Sequence, residues 1–220
     1  MRDASATGVI RMRPRNERQA LRESHHVSAS RITATTEGQR IVASNHYHFV
    51  TDWQIPGDID TVADVLSDAE GFARWWPSVY LRVRELEPGD ANSIGKVIDL
   101  YTKGWLPYTL RWQARVTSNQ HPYGFSLTAT GDFVGTGVWT LRQEGDSVDV
   151  TYDWRVEAAR PLLRHLSPLL RPIFSANHRW AMAKGEESLI LEMRRRGAAS
   201  PEERARIPAP PPATWAFGRG

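Results

Sequence analysis

Cysteine is absent from the 220 residues, which excludes disulfides, thiolate metal sites and cysteine nucleophiles. Long apolar runs are absent as well. No stretch of about 18 apolar residues occurs, so no membrane-spanning helix is expected. The first residues lack the apolar segment of a secretory signal. A P-loop, a Ser-His-Asp set and a paired-carboxylate spacing are all missing, and nothing in the chain asks for a cofactor. These absences point to a soluble chain of the cytoplasm.

The net charge of +3 invites a nucleic-acid reading until its distribution is examined. Residues 1–44 carry eight Lys and Arg against four Asp and Glu, and residues 197–220 carry three against two. Residues 45–196 hold the remaining 17 basic and 19 acidic side chains. The middle is slightly acidic, whereas nucleic-acid binding wants a basic face on the folded part. No nucleic-acid partner is expected.

The same boundaries divide the chain by pattern. Residues 1–44 are rich in Arg, Ser, Thr and Ala and show no periodicity. Three readings fit them: a disordered basic tail, an organellar presequence, or a start codon placed upstream of Met12. Residues 197–220 gather Pro201, Pro208, Pro210, Pro211 and Pro212, a composition that favours extended, unpacked chain. Trp215 and Phe217 read as exposed tail aromatics.

Between the tails, Tyr47, Phe49, Thr51, Trp53 and Ile55 alternate with polar residues as in a half-buried strand. Asp58 is placed to cap a short helix with Ile59, Val62 and Leu66 on its apolar face. Ser67 and Glu70 have the spacing of a capping box for a second short helix carrying Phe72, Trp75 and Trp76, which Pro77 closes. Six period-2 runs follow, beginning with Val79, Leu81 and Val83 and ending with Val148, Val150, Tyr152, Trp154 and Val156. Glu144-Gly145-Asp146 marks a hairpin turn. One face of these runs is apolar and the other polar, as in an antiparallel sheet. A long helix from about Pro172 to Arg195 then carries Phe174, Ala181, Gly185, Leu189 and Met193 on one stripe, with Met182 and Ile190 beside it.

The expected class is α+β, in the order β-α-α-β6-α: a curved seven-stranded antiparallel sheet wrapped on a long C-terminal helix. One helix, about 10 Å across, does not cover so wide a sheet, and the remaining gap is a natural pocket.

This order comes with motifs. They are Ile55-Pro56 with Ile59, Val62 and Leu66; Ser67-Asp68 and Phe72; Trp75-Trp76-Pro77; Gly135-Thr136-Gly137-Val138-Trp139; Tyr152-Asp153-Trp154; and Pro168-Leu169-Leu170-Arg171-Pro172 with Asn177-His178, Met182, Gly185-Glu186 and Leu189. In these the segment from about Tyr47 to Met193 resembles the START-like (SRPBCC) superfamily with its helix-grip fold, in the polyketide cyclase/dehydratase branch common in bacteria. The resemblance implies a ligand-binding domain over 45–196 that is specific in fold and weak in reaction, because its members include carriers, sensors and cyclases.

The site residues follow from facing. His178 lies one turn after Phe174 on the buried stripe, so its ring needs a partner, either a structural one or a ligand oxygen. Trp112, Trp139, Tyr152 and Trp154 share the inner face, where indole and phenol combine apolar area with a hydrogen-bonding handle. The expected ligand-binding set is Trp76, Tyr108, Trp112, Phe125, Trp139, Tyr152, Trp154, Phe174, Asn177 and His178. The expected partner is a small hydrophobic molecule, an aromatic polyketide-like compound or a lipid. An enzyme of the cyclase/dehydratase type using the same cavity is the alternative, with His178, Asn177 and Tyr152 as its catalytic candidates.

Other features read as structural. His46 and His48 share a strand face but have no third metal ligand, so no metal is expected and a solvated strand edge accounts for them. Gly135-Thr136-Gly137 reads as a bulge or a close sheet–helix contact. Arg160, Arg164 and Arg171 flank Pro161-Leu162-Leu163 and Leu169-Leu170, a stretch that suits a lid packed on the domain more than transient contact with a membrane surface.

Overall fold

The computed structural model of the chain describes residues 9–12, 46–158 and 167–214, with side chains over 46–157 and 172–214. The lid stretch from Arg160 to Arg164 and the tail aromatics Trp215 and Phe217 lie outside the described residues, as does the side chain of Arg171. The elements are β1 (Val9–Met12), β2 (His46–Pro56), α1 (Ile59–Ser67), a 3-10 turn (Ala69–Gly71), α2 (Phe72–Trp75), β3 (Tyr80–Glu87), β4 (Val97–Lys103), β5 (Thr109–Asn119), β6 (Gly124–Gly131), β7 (Phe133–Glu144), β8 (Ser147–Ala158), α3 (Ser167–Arg196) and α4 (Pro201–Arg206).

Strands β2 to β8 form the expected antiparallel seven, in the spatial order β2-β8-β7-β6-β5-β4-β3, and α3 lies across them. Period-2 burial along β2, β5 and β7 puts one apolar face inward. The β7–β8 hairpin closes on the two residues Gly145 and Asp146, and Gly145 takes φ +58, which a glycine adopts without strain. Register shifts at Tyr80/Arg82, Glu85/Glu87 and Val116/Ser118 mark bulges, and bulges bend strands.

The structure departs from the sequence reading in several places. An eighth strand, β1, pairs in parallel with β2, from Val9 opposite His48 to Met12 opposite Thr51. It comes from the stretch read as unstructured. A four-residue strand is too short to show periodicity, and its pairing is set by the edge it joins. That edge also corrects the reading of the histidines, because β2 is flanked by β1 and β8. His48 is not solvated at an edge but lies half-buried with Nε2 at 3.1 Å from Asp153.

Asp58 caps α1 as expected, accepting from Thr61 N–H at 2.8 Å. The Ser67–Glu70 box does not form. Asp68, one residue on, accepts from Gly71 N–H at 3.2 Å instead, because a 3-10 turn intervenes before α2. α3 begins at Ser167, five residues before Pro172. Proline lacks an N–H and its ring crowds the carbonyl one turn back, which makes it a natural place to expect a helix to start, yet here it lies inside the first two turns.

In the segment read as unpacked, Pro201–Arg206 form α4, with Ser200 as its N-cap. Arg204 Nε donates to Arg195 O at 3.1 Å, Arg195 donates to Pro208 O, and Thr214 Oγ1 donates to Gly104 O at 3.4 Å. These bonds hold the segment back against the domain.

The core lies between the sheet and α1, α2 and α3. Ile55, Val62, Val65, Leu66, Trp75, Val148, Val150 and Leu189 are almost fully buried within it. Among the described residues no helix is long and apolar enough to cross a membrane.

Candidate functional site

The sheet's inner face and α3 do not close completely. A cavity of about 140 Å³ remains where the β4–β5 loop meets α3. It is lined by Tyr47 and Phe49 of β2, Tyr152, Trp154 and Val156 of β8, Trp112 of β5, and Phe174, Asn177, His178, Ala181 and Met182 of α3, with Trp76, Tyr80, Leu110 and Phe133 among others. Of the residues expected from the sequence, Trp76, Tyr108, Trp112, Tyr152, Trp154, Phe174, Asn177 and His178 are brought to this cavity. Phe125 and Trp139 are not. They line a second cavity of about 70 Å³, deeper under α1 and α2. Tyr80, Trp112 and Tyr152 line both cavities and stand between them.

Aromatic contacts order this wall. Tyr152 stacks on Trp139 at 4.1 Å between ring centres and on Trp154 at 5.6 Å. Trp112 leans on Trp154 at 5.6 Å, and its Nε1 donates to Thr102 Oγ1 at 3.1 Å. Gly137 makes the stack possible. A Cβ there would stand 2.8 Å from the Tyr152 hydroxyl and 3.0 Å from the Trp154 ring. The Gly-Thr-Gly run is therefore a close approach within the sheet rather than against the helix. Likewise Trp76 lies over Gly185 of α3, where a Cβ would meet its ring at 2.3 Å.

The catalytic candidates have different surroundings. Asn177 Oδ1 accepts from Leu106 N–H at 3.2 Å, and its amide group fills the space a side chain at Gly104 would need. It holds the β4–β5 loop against α3. Asn177→Ala is expected to cost about 1 kcal/mol, as a hydrogen bond does, and to speed hydrogen exchange at Leu106 while the stacked wall stays intact. Amide exchange measured by NMR checks this, and unchanged protection at Leu106 would refute it.

His178 stacks on Phe49 at 4.1 Å. Its Nε2 is buried and has no partner among the described residues. Burial, with a smaller push from the Arg179 charge, brings its pKa down to about 3. The ring is therefore neutral at physiological pH and a poor base. Between the free histidine value and about 3 the unfolded chain takes up a proton that the folded chain refuses. Stability is thus expected to fall with pH below about 6.5, by up to about 1.4 kcal/mol per unit. Urea midpoints at pH 7 and pH 5 measure this slope, and His178→Phe is expected to reduce it.

Burial also raises the Tyr80 phenol, and raises Tyr152 with help from Tyr80 and Asp153, so both stay protonated donors. No hydrogen bond joins Asn177, His178 and Tyr152 to one another among the described residues. Neither phenol is shifted toward ionisation, and His178 is shifted away from protonation.

Among the lining residues outside the expected set are Tyr80 and Lys103. Tyr80 was missed because the bulge at Tyr80/Arg82 breaks the alternation, turning Tyr80 inward and leaving Leu81 exposed. Lys103 is the one charged residue among those lining the larger cavity, and it is buried, with its pKa lowered by desolvation. A lysine at a strand end carries no signal of this in the sequence. Trp75 is core and lines neither cavity, unlike its neighbour Trp76. No group of three or more His, Asp or Glu placed to hold a metal occurs among the described residues.

Comparison with known proteins places this geometry. A family model described as polyketide cyclase/dehydrase and lipid transport matches residues 55–180. Among solved structures, a protein of Thermus thermophilus is similar at 17% identity, over 66% of this chain and 98% of that one, with a TM-score of 0.55. The Zhui aromatase/cyclase of a Streptomyces species is similar at 20% identity, over 70% of this chain and 97% of that one, with a TM-score of 0.54. No curated protein matches the chain.

Proposed function

Since the chain belongs to the polyketide cyclase/dehydrase and lipid transport family, we propose that it binds a small aromatic or acyl ligand in the cavity between sheet and α3, with a ligand oxygen at His178. The observation that carries this reading is the unpartnered, buried Nε2 of His178 on a cavity walled mostly by apolar and aromatic groups, with Thr102, Lys103 and Asn177 as its other polar residues. A buried polar atom left without a partner costs about 1–3 kcal/mol, and a ligand hydroxyl or carbonyl removes that cost. Trp76 Nε1, also buried and unpartnered among the described residues, offers a second donor on the same wall.

Volume limits what fits. A dry apolar cavity of about 150 Å³ accepts a benzene ring. At about 140 Å³ the cavity as it stands takes one ring and its substituents. Binding is favoured over turnover because His178 is held neutral and Asn177 is occupied by the loop. A cyclase using the same cavity would have to work mainly by folding its substrate against the wall.

His178→Phe separates the two uses of the ring. It keeps the stack on Phe49 and removes the unpartnered nitrogen, so stability at pH 7 is expected to rise by about 1 kcal/mol. Affinity for p-cresol, followed by calorimetry, is expected to drop at least tenfold, while toluene binding stays within twofold. Equal p-cresol affinity in both proteins would remove His178 from the site. Failure of the wild type to bind either compound would reject the cavity as a ring site.

A further inference from the structure

A second concave site lies away from the aromatic cavity, where the end of α3 meets α2 and α4. Arg74 of α2, Arg195 and Arg196 of α3 and Arg204 of α4 line a surface cleft of about 340 Å³ together with Glu192. Glu192 is the one acid among the lining residues, and its side chain is 6% exposed. Its Oε1 is shared by Arg74 at 3.4 Å and Arg196 at 3.3 Å. Arg74 also has Asp68 at 3.8 Å. Arg195 and Arg204 instead meet backbone carbonyls, of Pro208 and Arg195 respectively, which carry no net charge. Of the two acids of α4, Glu202 and Glu203, neither lines the cleft, and Glu203 is turned to Ala199 N–H at 2.8 Å.

Four arginines therefore line one cleft with a single buried carboxylate, which only Arg74 and Arg196 engage. Cations at the end of α3 complement the partial negative charge of a helix C-terminus, about half a unit, which is far less than the excess present. Arg74 and Arg204 stand in the last turns of α2 and α4, helices of four and six residues, and Glu192 with Asp68 balances only two of the four arginines. Guanidinium forks match the paired oxygens of a phosphate, and a dianion suits an excess of this size.

We propose that this cleft binds a phosphate group, held between Arg74, Arg195, Arg196 and Arg204. The site is separate from the hydrophobic cavity and does not depend on what that cavity holds. Its occupation ties α4 to α2 and α3, and the segment after α4 runs on to Thr214, which bonds to Gly104 on the cavity wall.

The full chain is titrated calorimetrically with sodium pyrophosphate at low salt, and in parallel mixed with phosphatidylcholine vesicles with and without phosphatidic acid. One pyrophosphate per chain at sub-millimolar Kd is expected, weakened at least tenfold by Arg204→Glu and by less than twofold by Arg111→Glu on the outer face of β5. Arg204 sits on an exposed one-and-a-half-turn helix, so its substitution is expected to leave the circular dichroism unchanged. Slower amide exchange over 201–206 with pyrophosphate is expected as well. Capture on phosphatidic acid vesicles alone, lost in Arg204→Glu, supports the site with a lipid headgroup as its source. Neither probe binding, or equal loss in Arg204→Glu and Arg111→Glu, overturns the proposal.

Discussion

Alanine at Gly185 is expected to lower the melting temperature by about 4–8 °C, although it replaces the poorer helix former with the better one. On propensity alone, Gly→Ala within a helix gains about 1 kcal/mol. Here the new methyl would stand 2.3 Å from Trp76 Cζ2 and 2.7 Å from Cε2. The indole is hemmed in by Trp53 at 5.7 Å, Trp75 at 5.5 Å and Tyr80 at 5.1 Å, so it can yield only by tilting into the cavity that it lines. Forcing an extra carbon into a filled site costs about 1–3 kcal/mol, with the upper end expected where the neighbour is locked. The packing penalty exceeds the propensity gain and leaves about 2 kcal/mol of net destabilisation. Thermal unfolding followed by circular dichroism checks the sign. A second measurement isolates the cause: in a Trp76→Leu background, Gly185→Ala is expected to become neutral or stabilising, a coupling of at least about 1 kcal/mol. A rise in melting temperature for the single variant would show that Trp76 does not hold its place.

Gly185 also shows where the sequence was legible. Its position on the stripe with Phe174, Ala181 and Leu189 follows from helical period alone, and burial along α3 agrees. What covers it does not follow, because Trp76 arrives from an element more than 100 residues earlier. The sheet was readable for a similar reason: one strand face is apolar over most of its length. Reading failed where that alternation breaks, as at the Tyr80/Arg82 bulge, and where a strand is too short to alternate, as in β1. Asn177 and His178 stood out as polar neighbours on an apolar helix. Their division of labour did not, since it depends on Gly104 and Leu106 meeting one of them and Phe49 the other. The arginine cleft was invisible because Arg74 lies more than 100 residues before Arg195 and Arg204, and Arg195 with its neighbours at the end of the long helix reads as complementing the helix dipole.

Tyr152→Ala is expected to have the largest effect on both stability and ligand choice. The phenol is buried in a stack between Trp139 and Trp154 and lines both cavities. Removing a buried aromatic side chain costs about 3–5 kcal/mol, because contacts vanish and the surroundings collapse only in part. Out of a total of about 5–15 kcal/mol the variant remains folded but visibly weaker. Its melting temperature is expected about 8–16 °C lower. The same deletion joins a chamber of about 140 Å³ to one of about 70 Å³ and adds the volume of the lost ring. The wild type, with room for one ring, is expected to prefer p-cresol to 2-naphthol. The variant is expected to reverse that order, and 2-naphthol at about 100 times its Kd is expected to return about 2.7 kcal/mol of stability. Tyr152→Leu, which leaves a smaller void, is expected to fall between the two and guards against a variant that does not fold. If both proteins keep the preference for p-cresol, Tyr152 is not the partition. The two chambers would then be independent, and any natural ligand larger than one ring would have to enter by moving Tyr80 or Trp112 instead.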